Sequence, residues 1–479
     1  MNSVLKSLLE DDEGSVTAVA QGTSFNRREV MKGGAAGAAT LSLTALAGRA
    51  VASYSDDYGP IAPVADQTTG LSLISLPEGF EYFTYGWTGQ PMLDGNLTPK
   101  DHDGMGVVAA KGNQIVLVRN HELSATEGVK APAVADYHSA CNGGTTNVLF
   151  DAIKGKFLGS WSSLSGTIKN CSGGITPWGS WISCEETTET RDGVPHGWCF
   201  DVPGFGVATG QPLKDMGRFS HEAVAVDPVT SFIYETEDAT PSAFYQFRPN
   251  QHFNPASGGK LYALKVVGED SFNFSGGATG YVSYANGTTW DVEWVEVTDA
   301  HGLDGRPYNS APGRASFARG EGCFYDSGKV YFTSTSGGGA RRGQVFSYDT
   351  RREQLTMIFE SRGTGLGSND LDSPDNIAVS PRGGILLMED GGSPNYLRGL
   401  TPEGGTFVFA ENIVTLSADD ISQADAALSA SGNVMSSINP GNYRGEWAGG
   451  CFHNEWLFVN IQSPGITFAI KGPWNKGSL

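Results

Sequence analysis

Glu222-Ala223-Val224-Ala225-Val226-Asp227 and, one turn later, Phe232-Ile233-Tyr234-Glu235 form a short apolar strand with an acidic lead residue, then a second apolar strand with an acidic end. Five more copies follow the same plan. They are Gly106-Val107-Val108-Ala109 with Ile115-Val116-Leu117-Val118-Arg119-Asn120, Gly174-Ile175-Thr176 with Trp181-Ile182-Ser183-Cys184-Glu185, and Gly322-Cys323-Phe324-Tyr325 with Val330-Tyr331-Phe332-Thr333. The last two are Ile377-Ala378-Val379 with Ile385-Leu386-Leu387-Met388-Glu389, and Gly450-Cys451-Phe452 with Leu457-Phe458-Val459-Asn460. A third apolar strand follows most copies, at 144–149, 197–201, 243–247 and 343–349. Hairpin units repeating at roughly 50 residues or more are the signature of propeller blades, so six copies predict an all-β, six-bladed β-propeller. Uneven spacing places insertions at 249–318 and 403–445, and residues 416–431 read as a short helix starting after Ser417. A two-sheet sandwich is the alternative, but it does not require a repeated residue at one offset.

That repeated offset is the most informative feature. Just before the first strands stand Asp103, Cys171, Glu222, Glu321, Asp375 and Glu446. The innermost strands of a propeller line its channel, so these positions form a ring at the channel mouth. A second set lies where the second strands exit: Asn120 and Glu122, Glu185 and Glu186, Glu235 and Glu237, and Glu389. Carboxylates gathered so closely repel one another unless cations neutralise them, which predicts a site for several metal ions. A single acidic residue at a strand end is usually a turn former; the shared offset argues otherwise here. Carboxylate and carbonyl oxygens suit calcium, whereas a thiolate such as Cys171 points to a softer ion, iron or zinc. Arg319, two residues before Glu321, can clamp a phosphate or simply neutralise its acidic neighbours. His121 and His221 adjoin the acidic positions and are equally consistent with supporting or packing roles.

The composition agrees with many turns and an acidic surface. There are 65 glycines in 479 residues, about twice the usual 7%. The net charge of −20 argues against nucleic acid or an anionic membrane surface as the main partner. Ser24-Phe25-Asn26-Arg27-Arg28-Glu29-Val30-Met31-Lys32, before a Gly/Ala-rich stretch ending in Ala50-Val51-Ala52, resembles a twin-arginine export signal with a small-residue cleavage site. The expected organisation is a cleaved leader at 1–52 and a single propeller domain at 53–479, periplasmic or secreted. Because such export carries folded protein, the six cysteines are expected to be mostly buried thiols.

Several stretches together resemble the PhoX-type alkaline phosphatases. They are Asn170-Cys171-Ser172-Gly173-Gly174, Cys184-Glu185-Glu186, Gly217-Arg218-Phe219-Ser220-His221-Glu222, Phe317-Ala318-Arg319-Gly320-Glu321-Gly322, Ser373-Pro374-Asp375-Asn376 and Phe458-Val459-Asn460-Ile461-Gln462-Ser463-Pro464-Gly465. The resemblance implies a six-bladed propeller holding two ferric and three calcium ions around a bridging oxide, and hydrolysis of phosphate monoesters. It implies Cys171, Glu222 and Glu321 as iron ligands, Arg319 as the phosphate contact, and Asn120, Glu122, Glu185, Glu186, Asp375 and Glu389 as calcium ligands. The expected partners are small phosphate esters and the twin-arginine machinery, with the protein acting as a monomer without stable membrane association. Two other readings remain: a calcium-stabilised binding propeller without turnover, and a metal-dependent hydrolase of another ester, such as a lactonase.

Overall fold

The computed structural model describes residues 17–20, 23–26, 58–124, 128–276, 281, 283–363, 370–401, 404–428 and 437–479. The twin-arginine pair and the cleavage site lie outside these residues. All six strand pairs form antiparallel hairpins. Their first strands are His102–Lys111, Asn170–Ile175, His221–Val226, Gly320–Asp326, Pro374–Val379 and Trp447–His453. Each packs against the next in this order, and Trp447–His453 packs against His102–Lys111, so the inner strands close a ring. Sheets radiating from such a ring make a β-propeller.

The inner strands are buried on both faces, which explains their near-continuous apolar sequence. In His221–Val226, Val224 and Val226 pack with Ile182, Ile233 and Phe247 on one side. Ala223 and Ala225 point the other way, toward Phe332 and Phe346. The twofold side-chain alternation of a strand thus feeds two cores, one on each side of the sheet.

Strands from distant parts of the chain complete the sheets. Glu81–Tyr85 pairs with Ile466–Lys471 and makes the final sheet four-stranded, fastening the two ends of the ring. Ser72–Pro77 pairs with Thr406–Asn412 and with Ile61–Ala65. The insertion at 249–318 contains Thr289–Glu296, which bridges Asn254–Val266 to Gln354–Glu360 and fuses two neighbouring sheets into one of nine strands. The helix spans Ala418–Leu428, and Ser417 caps it: the Asp420 N–H donates to Ser417 Oγ at 3.2 Å while the Ser417 N–H donates to Asp420 Oδ2 at 2.8 Å. Residues within the expected leader also enter a sheet. Thr17–Ala20 and Thr23–Asn26 form a hairpin whose first strand pairs with Ala109–Ala110. The physical reason is the free edge of an innermost strand, whose backbone N–H and C=O groups can accept a further strand.

Candidate metal centre

One backbone device recurs around the ring. In every hairpin the register slips near the start of the inner strand: between His102 and Met105, Asn170 and Gly173, His221 and Val224, Gly320 and Cys323, Pro374 and Asn376, and Trp447 and Gly450. A β-bulge inserts an unpaired residue and re-aims its side chain. Five of these slips contain Asp103, Cys171, Glu222, Glu321 and Asp375, and Glu446 directly precedes the sixth. Two residues ahead of four of them, Asp101, Lys169, Arg319 and Ser373 adopt left-handed backbone with φ of 50–51°. Side chains other than glycine rarely tolerate this region, and such residues gather at functional sites.

Neighbouring sheets catch carbonyls that the bulges displace. Asn120 Nδ2 donates to Cys171 O at 3.1 Å and to Ser172 O at 2.6 Å. Asn460 Nδ2 donates to Asp103 O at 2.6 Å, Thr333 Oγ1 to Asp375 O at 3.3 Å, and Thr236 Oγ1 to Glu321 O. The acidic ring is therefore positioned by hydrogen bonds between sheets as well as within them.

Cys171 sits near the middle of the cluster. Its Sγ lies 3.2 Å from Glu222 Oε1 and 3.4 Å from Asp103 Oδ2. Ligand atoms of Asp103, Glu122 and Cys171 all fall within 4.8 Å of one another, as do those of Cys171, Glu186 and Glu222, and those of Glu222, Glu321 and Asp375. Because the three groups share members, seven residues form one continuous run. Asp103, Cys171, Glu222, Glu321 and Asp375 are buried. Asp103 Oδ1, Glu222 Oε2 and Asp375 Oδ2 have no hydrogen-bond partner.

Such crowding works strongly against negative charge. Burial, reinforced by Asp390, pushes Asp375 up to about 8 despite the opposing pull of Arg319. Burial, reinforced by Glu122, likewise raises Glu186 to about 8. Asp103, Glu222, Glu321 and Glu446 are shifted well upward, first by burial and then by neighbouring carboxylates, Asp375 among them in every case. The Cys171 thiol is raised by burial and by Asp103 and Glu222. Bare carboxylates with unpaired buried oxygens, grouped around a thiol, are the donor set expected of a centre that holds cations.

Two basic residues border the cluster. Asp238 grips Arg319 at Nε and Nη2 at 2.8 and 2.9 Å, and Nη2 also lies 2.7 Å from Glu321 Oε1. Lys169 Nζ lies 3.2 Å from Glu122 and 3.7 Å from Glu186. Burial works against the Lys169 ammonium, but Glu186 and Glu122 outweigh it and raise the group to about 12.

Three expected ligands lie outside the run; strand phase explains Glu185 and Glu389, and hydrogen bonding explains Asn120. Glu185 accepts from the N–H groups of Ile168, Gly197 and Trp198 and lies 2.6 Å from His196 Nδ1. Glu389 accepts from the N–H groups of Asp372 and Tyr396 and from Arg398 Nε. The Oδ1 of Asn120 is occupied by Trp181 Nε1 at 3.1 Å and Ser183 Oγ at 2.9 Å. Glu185 and Glu389 are the last ladder partners of their inner strands, as are His121 and Glu237. The residue one step further on is aimed at the mouth: Glu122, Glu186, Asp238 and Asp390. Successive strand side chains face opposite ways, so reading one residue early selects the wrong face. The acidic residue directly after each ladder was the signal that identifies Asp238 and Asp390. Lys169 could have been found by its offset before Cys171, which matches that of Arg319 before Glu321.

The histidines beside the ring lie outside the run of seven residues. His121 contacts Lys100 O and Thr146 Oγ1. His221 Nε2 donates to Gly217 O at 3.0 Å, and its Nδ1 lies 3.2 Å from Glu235. Burial lowers His221 to about 4 and raises Glu235 well above the usual carboxylate range, so a neutral ring faces a neutral acid. Glu237 is held by Tyr245 and Arg306.

Fold and site together define a β-propeller with a cluster of carboxyl groups and a thiol at its mouth. The chain belongs to the family described as alkaline phosphatase PhoX, whose sequence pattern matches residues 56–159 and 150–465. None of the curated proteins matches the chain. Among solved structures, a gluconolactonase from Xanthomonas campestris is 13% identical, with 78% of this chain and 97% of that one covered and a TM-score of 0.34. The WD40 β-propeller domain of Doa1 is 10% identical, with coverage of 79% and 95% and a TM-score of 0.37. A Bacteroides thetaiotaomicron protein of unknown function is 10% identical, with coverage of 97% and 92% and a TM-score of 0.38.

Proposed function

We propose that this protein is an exported phosphomonoesterase that releases inorganic phosphate from small organic esters, using a mixed iron and calcium centre. The observation that carries the proposal is the continuous run of seven ligand residues, five of them buried and three of its carboxylate oxygens unpartnered, beside Arg319 and Lys169. Membership of the PhoX family supports the reaction class. Cys171, Glu222 and Glu321 would hold iron, and Glu122, Glu186, Asp375 and Asp103 would hold calcium. When bound, these ions supply Lewis acidity and positive charge to the phosphoryl oxygens.

The chain's own residues orient the ester. Asp238 fixes the Arg319 guanidinium through Nε and Nη2, which leaves Nη1 as the nitrogen these contacts do not use and the one to meet a phosphate oxygen. Lys169 stays cationic through the neutral and alkaline range, so it attracts the dianion rather than trading protons with it. Local positive charge at the mouth is needed because the chain as a whole carries −20 and repels phosphate at a distance. Export through the twin-arginine machinery, removal of residues 1–52 and monomeric action complete the proposal.

The test is to purify the mature chain without chelators, measure bound iron and calcium, and assay p-nitrophenyl phosphate. Both metals with turnover are expected. Calcium alone with no turnover would replace the enzyme reading with a binding propeller. Hydrolysis of lactones but not phosphate esters would replace the reaction class.

A further inference from the structure

A second group of ligand atoms shares no member with the run at the mouth. His138 and Cys141 occupy one turn, closed by the Cys141 N–H donating to His138 O at 2.9 Å. That turn is fastened to the first sheet through the N–H groups of Tyr137 and His138, which donate to Ser165 O and Gly166 O, each at 3.0 Å. His196 comes from the neighbouring sheet's hairpin and is fully buried. His138 Nδ1 lies 3.3 Å from His196 Nε2, Cys141 Sγ lies 3.4 Å from His138 Nδ1, and Cys141 Sγ lies 3.5 Å from His196 Nε2.

These separations have a specific chemical meaning. Zinc bonds of about 2.0–2.1 Å to nitrogen and about 2.3 Å to sulfur, at tetrahedral angles, place nitrogens about 3.3 Å apart and nitrogen and sulfur about 3.6 Å apart. The three atoms therefore form a triangle close to one face of such a tetrahedron. An independent feature points the same way. Glu185 accepts from three backbone N–H groups and lies 2.6 Å from His196 Nδ1. A carboxylate so placed keeps the His196 proton on Nδ1, which turns the bare lone pair of buried Nε2 toward His138 and Cys141. Metal-binding histidines are commonly oriented by a carboxylate in this way. It also gives Glu185 a role that the mouth cluster does not.

We infer that His138 Nδ1, Cys141 Sγ and His196 Nε2 form a binding site for a divalent transition-metal ion, zinc by preference, with Glu185 orienting His196. Two imidazoles and a thiolate favour zinc over calcium or magnesium. The half-exposed side of His138 leaves the fourth position to water. Bound metal ties the 136–142 turn of one sheet to the 194–199 segment that leads into Cys199–Pro203 of the next.

The experiment uses the full chain, stripped with chelator and titrated with Co2+ and then Zn2+. Because Cys171 could also bind cobalt, the measurement is made in the Cys171→Ala variant, which separates this site from the mouth centre. A thiolate-to-cobalt charge-transfer band saturating at about one equivalent and bleached by zinc is expected. It should vanish in Cys171→Ala/Cys141→Ala. His138→Ala keeps the thiol and replaces a half-exposed residue, and should weaken zinc binding at least tenfold. Absence of the band in folded Cys171→Ala protein, or its persistence after Cys141 is also removed, overturns the inference. Unchanged zinc affinity in His138→Ala overturns it as well.

Discussion

Cys171 is the residue on which the proposed metal identity turns, because a sulfur within 3.4 Å of two carboxyl groups distinguishes the cluster from an all-oxygen set. Cys171→Ala is expected to lose iron and phosphatase turnover together; a variant that retains both would remove the cysteine from the ligand set. Arg319→Ala removes the guanidinium held by Asp238 and Glu321, and kcat/KM for phosphate monoesters should fall about 10²–10³-fold, as for loss of one preorganised charge-stabilising donor. An unchanged rate would favour hydrolysis of an uncharged ester. Lys169→Ala should act more weakly and mostly through KM. Asn120 acts through structure instead. Its side chain accepts twice and donates twice while fully buried, so Asn120→Ala should destabilise the fold by about 2 kcal/mol in denaturant melts. A neutral result would show that the carbonyl it holds finds another partner.

At the scale of the strand, the run of ligand residues depends on bulges from five inner strands brought close together rather than on separate hairpins. Inner strands approach so tightly that a Cβ on Gly449 would lie 2.3 Å from the Cα of Gly104, the residue after Asp103. Backbone cannot yield there as a flexible side chain could. Gly449→Ala should therefore cost several kcal/mol, above about 3, and weaken metal retention by shifting Asp103. Wild-type stability and metal content in that variant would disprove the close approach. Ladder register explains why Glu185 and Glu389, expected at the mouth together with Glu186, turn away from it while Glu186 and Asp390 face it. A linear pattern reveals that a strand ends in acid, but the ladder register decides which of two adjacent acids faces inward.

For the whole molecule, the ring concentrates acidic groups and ties stability to pH. Asp375 and Glu186 rise from ordinary values of 3.8 and 4.5 to about 8, so the folded chain retains protons that the unfolded chain releases at lower pH. Stability of chelator-treated protein should fall as pH rises from about 4 to about 8, since unfolding then releases protons. Added calcium and iron should restore it most at the alkaline end, where the cluster would otherwise be most highly charged. A melting temperature independent of pH and metal would contradict this coupling. Sequence alone determined the repeated hairpins, the all-β class and the acidic offset containing Cys171, Glu222, Glu321 and Asp375, because apolar alternation and turn chemistry are local. The helix after Ser417 was legible for the same reason, through its capping pattern. Only the tertiary structure decided that residues 61–85 complete distant sheets, that Asp238, Asp390 and Lys169 reach the mouth, and that Glu185 turns to His196. Those outcomes depend on ring closure and ladder register, in which segments hundreds of residues apart select each other's faces through hydrogen bonds and packing.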